Sequence, residues 1–348
     1  MSRGAVATRV VRIDPDPPES GPLAEAAATL RSGGLVAFAT ETVYGLGADA
    51  TNPEAVARIF AAKGRPATNP LIVHVDRKET AFPLVARWTA EADLLADRFW
   101  PGPLSLVLPR SGLIPDNVTA GQGTVGLRVP RHLVARTLIE RAGCPIAAPS
   151  ANRSTGVSPT RAEHVWGDLA GKVDLILDSG PTAVGIESTV LDLSGPSPRV
   201  LRPGSITAEQ IAEALGRPVS SASHAADASS PMSSPGQMDV HYAPRTPAFR
   251  VEGERFDRLP PGSGSYQRIS IGPPDRRWPA DPTRESEHVG LSDPGQAAEM
   301  LYRLLHDVDR TKPTFLLIVM PPDLPEWRAI RDRVRRATRP WDGRAPLP

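Results

Sequence analysis

Two short runs of apolar residues near the start of the chain, Leu35–Ala39 and Leu71–Val75, limit most strongly what it can fold into. Strands that are buried on both faces read as continuous apolar runs, whereas strands with one wet face alternate. Between the two runs, Asn52 and Pro53 are a favourable N-cap and a favourable first helical residue. The stretch therefore predicts a strand, a turn over Thr40–Gly47, a helix and a second buried strand.

The alternation of strands and helices continues to about residue 216 and predicts an α/β domain built around one twisted sheet. Caps and apolar stripes predict further helices at Pro22–Arg31, Glu91–Phe99, Arg131–Ala142, Arg161–Leu169 and Ala208–Leu215. Short apolar runs predict further strands at Leu104–Leu108, Thr124–Val129, Pro145–Ala148, Val173–Leu177, Thr189–Leu193 and Val200–Leu201. Sheets of this class bind ligands beyond the carboxyl ends of their strands.

The composition changes after this domain. Residues 218–247 are rich in Ser, Ala, Pro and Gly, which is typical of a linker, although the segment SPGQMDVHYAP within them carries an unusual His241-Tyr242 pair. The tail predicts strands and helices at Arg268–Ile271, Gly295–His306, Thr314–Met320 and Glu326–Thr338. We therefore expect a first domain over residues 1–217, a linker over 218–247 and a second, small α/β domain over 248–348.

The composition also excludes several functional classes. With a net charge of +1 on 348 residues, the surface as a whole is not basic enough to indicate binding to nucleic acid or to an anionic membrane. Any RNA contact therefore has to be local. The single cysteine, Cys144, excludes an internal disulfide and a cysteine-rich zinc site. The N-terminus lacks the apolar core of a signal peptide, and the longest apolar run, Phe315–Met320, is far too short for a membrane helix. We expect a cytoplasmic protein without a membrane segment.

Two cations, Lys63 and Arg65, stand at the exit of the first predicted βα unit. Cations at the end of a helix are often only a solvated surface that opposes the helix dipole. The functional alternative is a clamp for phosphate or carboxylate groups, because Arg can bond to two oxygens at once. The hydroxyls of Thr40, Thr42 and Tyr44 on the preceding turn favour the clamp.

Polar residues also collect where other predicted strands end. Ser150 and Asn152 follow one short apolar strand, and Arg128 and Arg202 lie at the ends of two others. Ser and Asn are ordinary turn residues, so a polar turn explains the first pair equally well. Buried cations on several strands of one sheet are costly unless they share an anionic ligand, which favours an anion site. His74, inside an apolar run, is by default a satisfied core histidine.

Several motifs that would define a site are absent from the sequence. There is no GxxxxGK[ST] phosphate loop, no complete dinucleotide fingerprint, no GxSxG elbow and no HExxH metal motif. Phosphate groups would therefore have to be bound by side chains.

Eight motifs, in one order, carry a resemblance to a known family. They are ATETVYGLG, KGRP with NPLIVHV, WPGPLSLVL, TVGLRVP, APSAN, SPT, GIESTV and RPG. Over about Leu23 to Ile206 the chain resembles the YrdC-like domain of the threonylcarbamoyl-AMP synthase family. HYAP resembles the linker of its two-domain form, and AIRDRVRRAT is similar to the end of its C-terminal domain. The resemblance implies a YrdC-like twisted mixed sheet flanked by helices, with a second, smaller Rossmann-like α/β domain.

The resemblance also implies an activity. L-threonine, bicarbonate and ATP would give threonylcarbamoyl-adenylate, pyrophosphate and water, with Mg²⁺ and cations needed for the pyrophosphate leaving group. A downstream tRNA threonylcarbamoyl transferase would pass the group to the adenosine beside the anticodon, so tRNA contact by this chain would be indirect or weak.

Position by position, the resemblance implies three sets of site residues. The KxR and SxN signature, expected to hold the phosphates and the carbamate, falls on Lys63, Arg65, Ser150 and Asn152. The threonine pocket is implied at Thr42, His74, Arg128, Ala148 and Ser188. ATP contacts are implied at Arg65, Asn69, Thr124, Ser150, Ser158, Arg202 and Tyr242, with Tyr242 as a lid over the nucleotide.

One other function stays open at this point, and a second is disfavoured. A non-catalytic RNA-binding module is disfavoured by the net charge, although the Arg-rich segment near the C-terminus could act locally. A carbamoyltransferase that uses this domain within a larger machine would carry zinc-finger modules, which a single cysteine excludes.

Overall fold

A computed structural model of the chain describes residues 7–221, 241–252, 266–272 and 288–341. Its contacts divide the chain into two compact units, Met1–Ser154 with Ser158–Gln237, and Thr155–Val157 with Met238–Pro348. The sequence gives no signal that residues 155–157 belong with the second unit. Most of the predicted linker lies outside the described residues, so its bounds at 218 and 247 stay predictions.

The described strands of the first unit form one mixed eleven-stranded sheet. In chain order they are β1 (Arg9–Arg12), β2 (Val36–Ala39), β3 (Tyr44–Asp49), β4 (Ile72–His74), β5 (Leu104–Pro109), β6 (Thr124–Arg128), β7 (Ile146–Ala147), β8 (Leu175–Asp178), β9 (Thr189–Asp192), β10 (Arg199–Arg202) and β11 (Ser220–Ser221). Across the sheet the order is β1-β8-β2-β3-β7-β4-β6-β5-β9-β10-β11. The sheet contains parallel pairs, such as β4 with β6, as well as antiparallel pairs, such as β5 with β6, which confirms the predicted mixed sheet.

Helices flank this sheet. They are α1 (Ser20–Arg31), α2 (Pro53–Lys63), α3 (Ala90–Phe99), α4 (Asp116–Thr119), α5 (Leu133–Ala142), α6 (Ala162–Leu169) and α7 (Ala208–Leu215). β2 shows why two layers are needed, because its alternate side chains enter different cores. Ala37 belongs to the larger core, and Val36 and Phe38 belong to the core that α1 and α5 cover.

Local signals fix helix α2, which carries the candidate site at its end. The Asn52 side chain accepts hydrogen bonds from Glu54 N at 3.0 Å and Ala55 N at 3.1 Å, and Pro53 occupies the first turn. Gly64 ends the helix in the left-handed conformation at φ 62°, which favours glycine. Lys63 is therefore the last helical residue.

The predicted turn over Thr40–Gly47 is wrong in its second half. The turn itself is short, and Tyr44–Asp49 forms β3, which pairs antiparallel with β2. Gly45 and Gly47 suggested a turn, but their role is close packing. A Cβ on Gly47 would lie 2.7 Å from Phe38 Cε1, and a Cβ on Gly45 would lie 3.3 Å from Ala148 Cβ. The glycines therefore let neighbouring parts of the sheet approach each other.

The described part of the second unit contains a five-stranded, all-parallel sheet with two α-helices. Its strands are β12 (Ala248–Val251), β13 (Tyr266–Ile271), β14 (His288–Leu291), β15 (Phe315–Val319) and β16 (Arg339–Pro340), in the order β14-β13-β15-β12-β16. Its helices are α8 (Pro294–Thr311) and α9 (Arg328–Ala337). This confirms a second, small α/β unit. None of the described helices is long and apolar enough to cross a bilayer.

Candidate active site

Lys63 joins the end of α2 to a loop far away in the chain. Its Nζ donates to Ser150 O at 2.6 Å, to Asn152 O, and to Asn152 Oδ1 at 3.4 Å. Only 3% of the residue is exposed. Burial lowers the pKa of Lys63 well below its usual value, and the charge of Arg65 lowers it further. The two halves of the predicted KxR and SxN signature, 87 residues apart in the chain, are therefore brought together.

The loop that follows β7 presents Ser150 and Asn152 in a fixed arrangement. Ser150 Oγ donates to Asn152 Oδ1 at 2.6 Å, and Asn152 Nδ2 donates to Arg153 O at 2.9 Å. Ala148 N donates to Ile72 O at 3.0 Å, so the backbone before the loop is held against β4. The loop is a braced structure rather than a loose polar turn.

Arg65 is held by the segment that leads into β4. Its Nη2 donates to Asn69 Oδ1 at 2.6 Å and to Pro70 O at 2.9 Å, and its Nε donates to Asn69 O at 3.2 Å. Asn69 is 1% exposed, and its Nδ2 has no hydrogen-bond partner in the described part of the chain. A buried donor without a partner is costly, so this N–H group marks a position where a ligand acceptor would fit.

Arg128, at the end of β6, forms a buried ion pair that the sequence reasoning missed. Its Nη2 donates to Glu41 Oε1 at 2.6 Å, and the two side chains are 4% and 7% exposed. Its Nη1 donates to Thr42 Oγ1 at 3.0 Å, and its Nε donates to Gly102 O at 3.1 Å. Burial alone would raise the pKa of Glu41, but Arg128 and backbone donors hold it below its usual value. The available signal was Glu41 itself, a carboxylate inside ATETVYGLG.

His74 lies on β4 beside Arg128 in the strand register. Burial and the Arg128 charge lower the pKa of His74 to about 3, although backbone groups of Ile72 and Ile146 oppose the shift. His74 Nδ1 has no hydrogen-bond partner among the described residues. The imidazole is therefore neutral near pH 7 and keeps one ring nitrogen for a ligand.

The pKa of His74 predicts a pH dependence of stability. An unfolded histidine titrates near ~6.5, whereas folded His74 titrates at about 3. Between these values the unfolded chain binds more protons, so stability is lost as the pH falls below ~6.5. We expect the substitution His74→Asn to remove this term, which is at most ~1.4 kcal/mol per pH unit for one proton. Urea unfolding at several pH values measures it, and equal slopes for parent and variant would contradict it.

Two further predicted residues belong to the β9 and β10 region: Ser188 directly precedes β9, and Arg202 is the last residue of β10. Arg202 Nη2 donates to Ser188 O at 2.9 Å and to Ser188 Oγ at 3.1 Å. Ser188 Oγ also shares a hydrogen bond of 2.9 Å with Ser105 Oγ. Ser158 Oγ donates to Glu187 Oε1 at 2.6 Å. Ser105 and Glu187 were not among the predicted site residues, and no local motif marks Ser105.

The buried cations have acceptors on the protein itself. Carbonyl oxygens bind Lys63 and Arg202, and a carboxylate binds Arg128. The sequence argument that their burial requires a shared anionic ligand is therefore wrong, because these protein oxygens already compensate the buried charge. Burial of these cations is therefore no evidence for a ligand by itself, whereas Asn69 Nδ2, a buried donor without a partner among the described residues, is such evidence.

Two predicted ATP contacts, Thr124 and Tyr242, have other surroundings in the described part of the chain. Thr124 is half-buried at the start of β6, at the opposite end of the strand from Arg128. Tyr242 belongs to the second unit, where its ring stacks on Tyr302 at 5.6 Å and lies under the guanidinium of Arg333 at 5.1 Å. The roles of Thr124 and Tyr242 as ATP contacts stay predictions.

Comparisons of sequence and of structure with known proteins all identify the same family of proteins. Residues 28–204 match the family described as telomere recombination (Sua5, YciO and YrdC), and residues 206–338 match the threonylcarbamoyl-AMP synthase C-terminal domain. The threonylcarbamoyl-AMP synthase of Bacillus subtilis is 42% identical over 328 residues, which covers 90% of this chain and 92% of the relative. That of Pyrococcus abyssi is 48% identical over 230 residues, covering 66% of this chain and 68% of the relative.

A solved structure matches nearly the whole chain. The crystal structure of P. abyssi Sua5 complexed with L-threonine has a TM-score of 0.83 and 38% identity, and the match covers 95% of this chain and 97% of that one.

Proposed function

Because this chain belongs to the threonylcarbamoyl-AMP synthase family, we propose that it makes threonylcarbamoyl-AMP from L-threonine, bicarbonate and ATP. The threonine amine and bicarbonate give a carbamate and water. One carbamate oxygen then bonds to the α-phosphorus of ATP, the bond to the β-phosphate oxygen breaks, and pyrophosphate leaves. The enzyme is thus an ATP-dependent nucleotidyltransferase.

The contact between Lys63 and the Ser150–Asn152 loop carries this proposal. It joins a cation-bearing helix end to a loop of hydroxyl and amide groups, and Arg65 lies two residues beyond Lys63. Such a cluster suits a reaction in which two anionic reactants, a carbamate and a triphosphate, have to be held in line. The chemistry needs no side-chain nucleophile, because the carbamate oxygen is the nucleophile.

Strand register and two ring or amide nitrogens without a partner among the described residues, His74 Nδ1 and Asn69 Nδ2, support the assignment of the threonine and nucleotide contacts. Arg128 and His74 lie next to each other in the β4 and β6 register, and we assign them, with Thr42, Ala148 and Ser188, to threonine. Asn69 Nδ2 supports a nucleotide contact beside Arg65. The remaining ATP contacts are proposed at Thr124, Ser150, Ser158, Arg202 and Tyr242.

Mg²⁺ would enter the site as a partner of the nucleotide. This ion prefers oxygen ligands and is usually bound by one or two carboxylates together with substrate phosphates. The described residues contain no group of three or more His, Cys, Asp or Glu side chains that could hold the ion, so the nucleotide phosphates would be its main ligands. Bound with ATP, Mg²⁺ would neutralise charge on the departing pyrophosphate.

The product is a mixed anhydride, so an acyl-group acceptor has to consume it. We propose that a downstream tRNA threonylcarbamoyl transferase does so, and that this chain contacts tRNA only weakly or indirectly. Because tRNA serves translation, the proposed reaction belongs in the cytoplasm.

Omission of single substrates tests the proposed function. The purified chain is incubated with ATP, Mg²⁺, threonine and bicarbonate while pyrophosphate is measured, and each component is left out in turn. We expect full pyrophosphate release only in the complete mixture, because the carbamate is the nucleophile. Release that is independent of threonine would contradict the proposal. Salt-dependent tRNA binding without any nucleotide turnover would favour the RNA-binding alternative.

A further inference from the structure

We propose that Glu41 is a positioning residue for threonine, and that it acts by fixing the orientation of the Arg128 guanidinium. The inference rests on the proposed function, because it deepens the assignment of Arg128 to the threonine carboxylate.

Glu41 is itself anchored at three points. Its Oε1 accepts from Arg128 Nη2 at 2.6 Å, and its Oε2 accepts from Arg131 N at 2.9 Å. Its backbone oxygen accepts from Val184 N at 2.8 Å. Both carboxylate oxygens and the main chain are therefore held, so two separate segments of the first unit, residues 128–131 and the segment at Val184, determine the position of this carboxylate.

The guanidinium of Arg128 is fixed in turn. Each of its three nitrogens donates one hydrogen bond, to Gly102 O, Thr42 Oγ1 and Glu41 Oε1. A guanidinium carries five N–H groups. Three are used here, which leaves one on each terminal nitrogen within the described part of the chain. These two N–H groups remain available to oxygens of a bound carboxylate.

Electrostatic attraction of the substrate does not explain why the Glu41 carboxylate lies beside Arg128. Glu41 is negative, so it weakens the attraction of Arg128 for an anionic substrate. Its contribution to threonine binding is therefore geometric, because it keeps the guanidinium and its remaining N–H groups in one orientation. A side chain that must be placed to within a fraction of an ångström needs such support.

The substitution Glu41→Gln separates the two carboxylate contacts. Glutamine has one oxygen and one NH₂ group, so it cannot accept from both Arg128 and Arg131 N. We expect the KM for threonine to rise about tenfold or more, because a misplaced binding group costs this much, while the KM for ATP and kcat stay within about twofold. The matched control is the exposed Glu79, where Glu79→Gln is expected to leave all three constants unchanged.

A second variant covers the case in which Glu41→Gln does not fold. Glu41→Asp keeps the charge of the pair but withdraws the carboxylate by one methylene, so we expect the same selective rise of the threonine KM. An unchanged threonine KM in a folded variant, or a fall of kcat with no change of KM, would overturn the inference.

The measurement is threonine-dependent pyrophosphate release by the full chain, together with calorimetric titration of threonine. These two readouts distinguish the failure of this inference from the failure of the proposed function. A parent chain that binds threonine without releasing pyrophosphate defeats the proposed function, and its binding constants still test Glu41. Equal threonine affinity of the parent and both variants defeats the positioning role.

Discussion

Replacing Lys63 by methionine is expected to lower threonine-dependent pyrophosphate release by at least about a hundredfold, the range seen when one preorganised donor is removed from a catalytic site. Methionine keeps an unbranched stem of similar length but donates no hydrogen bond. Ser150 O and Asn152 O would lose their shared donor, and the loop that carries both signature residues would lose its attachment to α2.

Two comparisons make the Lys63 experiment decisive. Lys172→Met removes an exposed lysine on the same unit and is expected to leave the rate unchanged. Lys63→Arg keeps the charge, but a planar guanidinium cannot reproduce the three bonds of a compact ammonium in a buried space, so a large loss is expected there too. A folded Lys63→Met variant with a rate within about fivefold of the parent would contradict the assigned role.

Removing one partner of the Glu41–Arg128 pair is expected to have the largest effect on stability. Glu41→Met leaves the Arg128 guanidinium buried without its carboxylate, and the free energy of unfolding should fall by ~3 kcal/mol or more. The double variant Glu41→Met/Arg128→Met removes both charges. Since well-packed apolar groups often replace a buried ion pair without loss, it should recover most of that stability.

A double-mutant cycle measured by urea unfolding tests this prediction. The coupling free energy between the two sites should be ~2 kcal/mol or more, because the side chains are in direct contact. The exposed Glu79→Met serves as the control and should change stability little. Additive effects of Glu41→Met and Arg128→Met would show that the pair is not the source of the loss. Both single variants should also lose threonine-dependent activity, whatever their stability.

The sequence predicted much of the first unit because its signals are local. Asn52, Pro53 and Gly64 set both ends of α2, so the place of Lys63 at the helix exit followed from residues within one or two turns. The prediction failed at Gly45 and Gly47, since a glycine that permits a tight turn and one that permits close packing look the same in sequence.

By itself, then, the sequence determined the class of fold, the helix that ends at Lys63 and the set of polar residues at the ends of strands. Only the tertiary structure decided which of them meet. The bond from Lys63 to Ser150 and the pair of Arg128 with Glu41 span 87 residues each along the chain. Such pairings depend on the order in which strands lie side by side in the sheet, and that order results from the packing of the whole unit rather than from any residue's neighbours in the chain.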